Sequence, residues 1–194
     1  MNHLHRNLIA LALLVLLSAC ATAPLAPNCT RIGHDGQFCM LAPASLPAVT
    51  ATHLISVQHD GREDTFMGQL QIDSHALRLA GFSLFGTSLF TIEYDGRRIV
   101  RQPAKLDLHP ELLVAMLELA LADPAALRDR LHNLTLKLDT TGDTQTRELF
   151  ENGHLIARIE RTGTPLADAH LSIAIPLAKL SVRMTPLDDS KAQP

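Results

Sequence analysis

Apolar residues recur at every second position along most of the chain after Pro47. A period of two puts alternate side chains on opposite faces of a β-strand, so that one face packs on a core and the other meets water. The alternation is visible in Phe66, Leu70 and Ile72; Leu77 and Leu79; Phe90, Ile92 and Tyr94; Leu134, Leu136 and Leu138; Leu155, Ala157 and Ile159; Leu171, Ile173 and Ile175; and Leu180, Val182 and Met184. We therefore expect a mainly β domain of about ten strands.

Three dipeptides that favour tight turns separate these runs. Asp60-Gly61, Asp95-Gly96 and Asn152-Gly153 are able to adopt the positive φ angles of primed hairpin turns. Hairpins join antiparallel neighbours, so the sequence predicts antiparallel meanders.

The segment from His109 to Leu131 breaks the alternation and predicts two short helices. Pro110 opens a run of good helix formers, and Asp123-Pro124 has the pattern of an N-cap followed by a proline in the first turn. The first helix has only two charges, Glu111 and Glu118, so its apolar surface is wider than one sheet face requires. We expect a curved antiparallel sheet, an incomplete barrel, with this short helical segment in its concave face.

The amino terminus has the layout of a secretory signal. Arg6 precedes an apolar run from Leu8 to Leu17, about half the length that a membrane span requires. Leu17-Ser18-Ala19-Cys20 then resembles a bacterial lipobox, in which the cysteine receives a diacylglyceryl group and becomes the mature amino terminus. The alternative is an ordinary signal peptide in which Cys20 falls at this position by chance.

The lipobox interpretation divides the chain into four parts. We predict a signal peptide at 1–19, a lipidated tether at 20–28, one domain at 29–187 and a flexible tail at 188–194. Ala21 stands where lipoproteins retained in the inner membrane have Asp, which favours an outer-membrane protein anchored by lipid, with its domain facing the periplasm. Acyl chains on Cys20 would contact the membrane.

Two cysteines remain for the domain, Cys29 and Cys39. Thiols of an exported protein meet an oxidising compartment, so we expect a disulfide between them. A metal site formed with His34 is the rival interpretation, although the spacing fits no zinc module.

The composition and the motifs argue against several functional classes. A formal charge of −3 and the absence of Trp give no basic surface or stacking platform for nucleic acids. Ser83 lies in a segment that departs from the Gly-x-Ser-x-Gly nucleophile motif, and the histidines lack metal-ligand spacing. We expect neither an enzyme nor a cofactor or metal site.

The most unusual local feature is the largely apolar stretch from Gly81 to Phe90, which contains the glycines Gly81 and Gly86. If Phe82, Leu84 and Phe85 protrude near a turn, they form a wedge for a membrane or an acylated cargo. Burial in the sheet is the alternative that we favour, because apolar residues of strands normally pack inside.

Two segments carry a resemblance to a known family: Leu77-Arg78-Leu79-Ala80-Gly81-Phe82-Ser83-Leu84-Phe85-Gly86-Thr87-Ser88-Leu89-Phe90 and Pro110-Glu111-Leu112-Leu113. They are similar to an uncharacterised family of outer-membrane lipoproteins, a domain of unknown function, whose genes often lie beside aryl polyene or fatty-acid-synthase-like clusters. With the lipobox and the predicted meander, the chain also resembles the LolA/LolB-like superfamily of lipoprotein carriers.

This resemblance implies a half-open barrel whose concave apolar face binds acyl chains. The candidate lining residues are Phe66, Leu70, Leu79, Phe90, Ile92, Leu113, Met116, Leu117 and Leu136. The expected function is binding of an acyl or polyene lipid, or of a lipoprotein, during delivery to the outer membrane, by a monomer. The alternative is a structural or scaffolding lipoprotein of the cell envelope that carries nothing.

Overall fold

The computed structural model describes residues 28–102 and 109–187. The predicted signal peptide, the lipidation of Cys20, residues 20–27 of the tether and the tail lie outside the described residues. Asn28, which we assigned to the tether, is held by the domain: its Nδ2 donates to the carbonyl oxygen of Gly96 at 3.0 Å. Among the described residues, no helix is both long and apolar enough to cross a bilayer.

Thirteen strands fall into two sheets within the described part of the chain. The small sheet has the order β1-β2-β8, with β1 at Cys29–Arg31, β2 at Gln37–Cys39 and β8 at Leu131–His132. The large sheet is formed by β3 (Val49–His59), β4 (Arg62–Ile72), β5 (Leu77–Phe82), β6 (Ser88–Tyr94), β7 (Ile99–Arg101), β9 (Thr135–Thr141), β10 (Thr144–Glu151), β11 (His154–Thr162), β12 (His170–Ile175) and β13 (Leu180–Pro186).

The large sheet consists of two five-stranded meanders joined side by side. Its order is β7-β6-β5-β4-β3-β13-β12-β11-β10-β9, and every neighbouring pair is antiparallel. The sheet is curved but does not close into a barrel, so β7 and β9 form its two edges. The predicted mainly β fold with a curved antiparallel sheet is confirmed.

Two of the three predicted tight turns have the expected conformation. Asp60 and Gly61 have φ angles of 48° and 79°, and Asn152 and Gly153 have φ angles of 50° and 81°. Positive φ at both central residues is the signature of a type I′ hairpin. Asp95-Gly96 is different, because β6 and β7 are joined through four residues and only Gly96 has a positive φ, of 87°.

Two helices connect the meanders, as the sequence predicts: α1 spans Pro110–Leu121 and α2 spans Pro124–Arg128. The Asp123 carboxylate caps α2 by accepting from the backbone N–H of Ala125 at 2.7 Å. Every residue of α1 from Val114 to Leu121 is buried. Eight consecutive helical residues point in all directions around the axis, so α1 is enclosed on all sides along this stretch.

The small sheet packs beside α1 and contains a disulfide between Cys29 and Cys39. These two residues also face each other in the β1–β2 pair. Because both sulfur atoms are in the disulfide, the alternative of a metal site with His34 is wrong. Within the described ranges, no group of three or more His, Cys, Asp or Glu residues is arranged to hold a metal ion.

Candidate ligand cavity

An apolar cavity of about 90 Å³ lies between α1 and the concave face of the large sheet. Its walls come from both meanders and from residues 112–117 of the helix. The lining residues are Ile55, Val57, Phe66, Leu79, Phe90, Leu112, Leu113, Met116, Leu117, Ile173, Ile175, Leu180, Val182 and Met184. No polar side chain is among them, so the cavity suits a hydrocarbon and offers nothing to a charged ligand.

Two glycines shape the floor of the cavity. Gly68 and Gly81 face each other across β4 and β5. A Cβ atom on Gly68 would meet Ile55 Cδ1, and a Cβ atom on Gly81 would meet the ring of Phe90. The glycines therefore let these two side chains lie flat against the sheet, which leaves free space below the helix.

The aromatic residues of the floor are held edge to face. The rings of Phe66 and Phe90 have centroids 5.7 Å apart and planes at 82°. This geometry is favourable for an aromatic pair and fixes both rings in the cavity wall.

A buried carboxyl group ties α1 to the segment that follows β2. Glu118 Oε2 accepts a hydrogen bond from the backbone N–H of Leu41 at 2.7 Å. Burial raises the pKa of Glu118 to about 8, and the bond from Leu41 opposes that shift only in part. Glu118 Oε1 and the hydroxyl of the buried Tyr94 have no hydrogen-bond partner among the described residues. Burial and the nearby Glu118 together raise the pKa of Tyr94 above its ordinary value.

A buried guanidinium ties the C-terminal end of α1 to the large sheet. Arg147 on β10 donates from Nη1 to the carbonyl oxygens of Leu119 at 2.7 Å and Ala122 at 2.8 Å. Carbonyl groups in the last turn of a helix lack partners within the helix, and a cation is favourable there. Burial lowers the pKa of Arg147 to about 10, with a further contribution from Arg161, yet the side chain stays charged at neutral pH.

The cavity lies near one end of the large sheet, which we call the hairpin end, because Val57, Ile175 and Leu180 line it. It carries the turn at Asp60-Gly61, the β5–β6 turn at 83–87 and the β12–β13 turn at 176–179. Leu180 pairs with His59, and Lys179 Nζ lies 3.5 Å from Asp60 Oδ1, so two of these turns are adjacent.

Exposed apolar side chains project from the same end. Phe85 is 97% exposed, Leu84 58% and Leu177 77%. They account for three of the six large hydrophobic residues that are exposed in the described part of the chain. The favoured prediction that Leu84 and Phe85 are buried in the sheet is therefore wrong; Phe82, at the end of β5, is half-buried. The strand ends at Phe82, so the two residues after it lie in the turn, where no second layer covers them.

Six of the nine predicted lining residues contact the cavity: Phe66, Leu79, Phe90, Leu113, Met116 and Leu117. The other three do not line it. Leu70 and Ile92 are buried in the core further from the hairpin end, and Leu136 is half-buried near the β9 edge. The period-two pattern correctly places these three residues on the inner face of the sheet. It does not tell how far from helix α1 each residue lies along its strand.

Sequence reasoning missed the lining residues of β3, β12 and β13 as well as the buried side chains of Glu118 and Arg147. Ile55 and Val57 on β3 have the same period-two pattern as the predicted strands, so that signal was available. Glu118 was noticeable as a lone charge in an apolar helix. Nothing in the sequence indicated that Arg147 is buried, because a single arginine among the polar residues of a strand is normally exposed to solvent.

A larger groove, of about 550 Å³, lies on the outer face of the first meander. Thr50, Thr52, Gln69, Arg78 and Thr91 are among its lining residues. The groove is open to solvent and eight of its fourteen lining residues are polar, so it does not match the apolar ligand that the sequence suggests.

Ser83, the residue closest to a nucleophile motif, has a structural contact in the β5–β6 turn. Its Oγ accepts from the backbone N–H of Thr87 at 3.1 Å.

Comparison with protein families gives a match. A family model described as "Protein of unknown function (DUF3261)" matches residues 50–187, from the start of β3 to the end of the described chain. No curated protein matches the sequence.

Proposed function

The chain belongs to the DUF3261 family, whose function is unknown, and on that premise we propose that it is an outer-membrane lipoprotein that binds a hydrocarbon chain under helix α1. The ligand is an acyl or polyene lipid, or the acyl chains of a lipoprotein, on its way to the outer membrane. In this proposal the protein is not an enzyme and uses no cofactor. Lipidated Cys20 anchors it to the membrane.

The observation that carries the proposal is the cavity between α1 and the concave face. Each square ångström of apolar surface removed from water contributes about 25 cal/mol, so a hydrocarbon gains free energy by entering a wholly apolar space. Engineered apolar cavities of roughly 150 Å³ stay dry and bind small hydrocarbons. The present cavity, of about 90 Å³, is of that order and accepts the end of a chain.

The remainder of the chain would lie along the hairpin end. Val57, Ile175, Leu180 and Val182 are half-buried lining residues close to the turns of that end. Beyond them, exposed Leu84, Phe85 and Leu177 offer further apolar contact to a bilayer or to an acylated cargo. Phe82, Leu84 and Phe85 thus belong to the proposed membrane or cargo wedge, with only the last two fully outside the sheet.

The family resemblance supports this function. A half-open sheet with a helix in its hollow is the architecture of LolA/LolB-like carriers, and the similar lipoproteins encoded beside aryl polyene clusters suggest a polyene or acyl ligand.

A scaffold without a ligand is the second candidate, and the size of the cavity favours it. Pockets for small molecules usually measure about 300–1,000 Å³, which is several times the volume under α1. A carrier therefore requires α1 to move away from the sheet when the ligand enters, whereas a scaffold requires no movement. Binding of a fluorescent fatty acid distinguishes the two.

The test uses residues 21–194 exported behind a cleavable signal peptide that has no lipobox, which removes the proposed anchor and leaves every described residue unchanged. Cis-parinaric acid is the probe. Val182→Phe fills the mouth of the cavity and is expected to weaken binding about tenfold. Val100→Phe is the matched control, because Val100 lies on edge strand β7, is exposed and does not line the cavity.

Equal binding by the two Val→Phe variants, at unchanged thermal stability, would place the fatty acid elsewhere and refute the carrier proposal. No binding by the parent chain would favour the scaffold. The anchor is tested separately, by the mass of the amino-terminal peptide of the membrane-bound protein with Cys20 intact.

A further inference from the structure

Strand β9 leaves a long edge of the large sheet open. On one side it pairs with β10, and no strand of the described ranges pairs with its other side. Six of its seven residues are exposed; Leu136 is half-buried. A strand of this length with an unpaired edge is able to receive another strand.

The outward hydrogen-bonding groups of β9 are identified by its hairpin. Thr141 faces Thr144 across a two-residue turn at Gly142 and Asp143, so this first pair exchanges its hydrogen bonds within the hairpin. Bonded and non-bonded pairs alternate along an antiparallel ladder. Leu136, Leu138 and Thr140 therefore direct their N–H and C=O groups away from β10, toward the open edge.

Two copies of β9 that run antiparallel to each other place complementary residues opposite one another. It reads Thr-Leu-Lys-Leu-Asp-Thr-Thr from Thr135 to Thr141. In a two-fold antiparallel pair centred on Leu138, Lys137 lies opposite Asp139 of the second copy, and Thr135 opposite Thr141. Opposite charges and paired threonines are favourable cross-strand neighbours.

We propose that β9 is a self-association edge, where a second copy of this chain adds its own β9 in antiparallel register centred on Leu138. The contact is isologous, because each chain gives and receives the same residues. Leu138, 43% exposed, meets Leu138 of the partner subunit at the two-fold axis on the concave side. The two large sheets become continuous, which replaces the monomer expected from the sequence.

The charged residues decide between this proposal and a guarded edge. Proteins place charges on edge strands to prevent pairing. An edge strand whose charges have one sign repels a second copy in every register. Lys137 and Asp139 have opposite signs, so they repel in some registers and attract in the register centred on Leu138. Lys137 also lies over the Phe150 ring, its Nζ 4.4 Å from the ring centroid, which positions the ammonium on the outer face of the hairpin.

Cysteine cross-linking in cells expressing the full chain tests the register. Leu138→Cys places the two sulfur atoms together at the two-fold axis, at a separation typical of disulfides. Thr140→Cys is the matched control, since this residue lies on the same face of the same strand but opposite Leu136 of the partner subunit. Mild oxidation is expected to give a covalent dimer for Leu138→Cys and none for Thr140→Cys. Dimers from both, or from neither, would overturn the proposal.

Charge reversal in the Leu138→Cys chain provides an independent readout. Added Lys137→Asp makes the edge wholly acidic, and added Asp139→Lys makes it wholly basic, so each chain alone is expected to lose the dimer. Co-expressed with tags of different size, the two are expected to form the mixed dimer, because both opposite-charge pairs return. Failure of the mixed dimer to form would contradict the register; its formation also shows that both variants fold.

Discussion

The ring of Phe90 lies directly over Gly81, its neighbour across strands β5 and β6. A Cβ atom on Gly81 would clash with Phe90 Cε1. Real side chains do not approach so closely, so Phe90 has its present position only because residue 81 has no side chain. The floor of the cavity thus depends on Gly81, whose packing role the sequence pattern did not indicate.

Gly81→Ala is expected to force the Phe90 ring away from the sheet and into the space below α1. Overpacking of a core typically costs about 1–3 kcal/mol, and we expect the free energy of unfolding to fall by that amount. Binding of cis-parinaric acid should weaken in parallel, because the ring occupies part of the cavity. Denaturant unfolding and fluorescence titration measure the two effects.

The double variant Gly81→Ala with Phe90→Leu serves as the control. A smaller side chain at position 90 removes the clash, so the double variant should be more stable than the sum of the two single changes predicts. Simple additivity would show that Gly81 acts through something other than the Phe90 ring.

Glu118 makes stability depend on pH. Its folded pKa, raised by burial to about 8, exceeds the ordinary value of 4.5, so the folded chain holds a proton that the unfolded chain releases between these values. The stabilisation is complete below about pH 4.5 and is lost as the pH rises to 8, by up to about 1.4 kcal/mol per pH unit. Urea unfolding across this range measures the slope.

Glu118→Gln is expected to flatten the slope, because an amide keeps the size of the carboxyl group without its titration. Glu111→Gln is the matched control: Glu111 lies on the same helix and is exposed. An unchanged slope in the Glu118 variant would mean that another group controls the pH dependence.

The carboxylate of Glu151 closes the loop between β1 and β2. It accepts from three consecutive backbone N–H groups, those of His34 at 2.9 Å, Asp35 at 2.5 Å and Gly36 at 2.5 Å. These bonds hold the pKa of Glu151 below its ordinary value. The contribution to stability is therefore present at neutral pH and is lost as the pH falls through the folded pKa.

Glu151→Gln should open this loop, because an amide accepts through one oxygen only and carries no charge. Faster hydrogen exchange at His34, Asp35 and Gly36 is the expected result. Glu148→Gln provides the comparison, since Glu148 lies on the same strand and points to the outer face beside Arg158. Equal exchange rates in both variants would show that the Glu151 carboxylate does not hold this loop closed.

Much of the fold follows from local patterns. Period-two alternation predicts the strands of the large sheet, and Asp60-Gly61 and Asn152-Gly153 predict two of its turns, because each pattern acts within a few residues. The helix boundaries follow from Pro110 and Asp123-Pro124 in the same way. An apolar helix with few charges also predicts a helix enclosed by other elements.

The rest depends on contacts between distant parts of the chain. The pairing of β3 with β13 brings the two meanders together across more than a hundred residues, and no turn signal marks it. Leu84 and Phe85 have the composition of core residues and lie in solvent because the strand ends before them. Arg147 donates to the carbonyl groups of α1 as well as to Gln145 Oε1, and Glu151 accepts from backbone N–H groups. Backbone partners carry no signature in the sequence.

Arg147 shows how strongly one such contact should matter. Arg147→Ala would leave the carbonyl oxygens of Leu119 and Ala122 buried without a partner, at the end of the helix that roofs the cavity. A hydrogen bond from a charged donor contributes about 1.5–3 kcal/mol, and we expect the free energy of unfolding to fall by about 3 kcal/mol. Arg158→Ala is the control: Arg158 forms exposed ion pairs with Glu148 and Glu160, so its loss should cost less than about 1 kcal/mol. If the two arginine variants unfold at the same denaturant concentration, the carbonyl groups of α1 have found other partners and Arg147 is not the residue that holds the helix in the sheet.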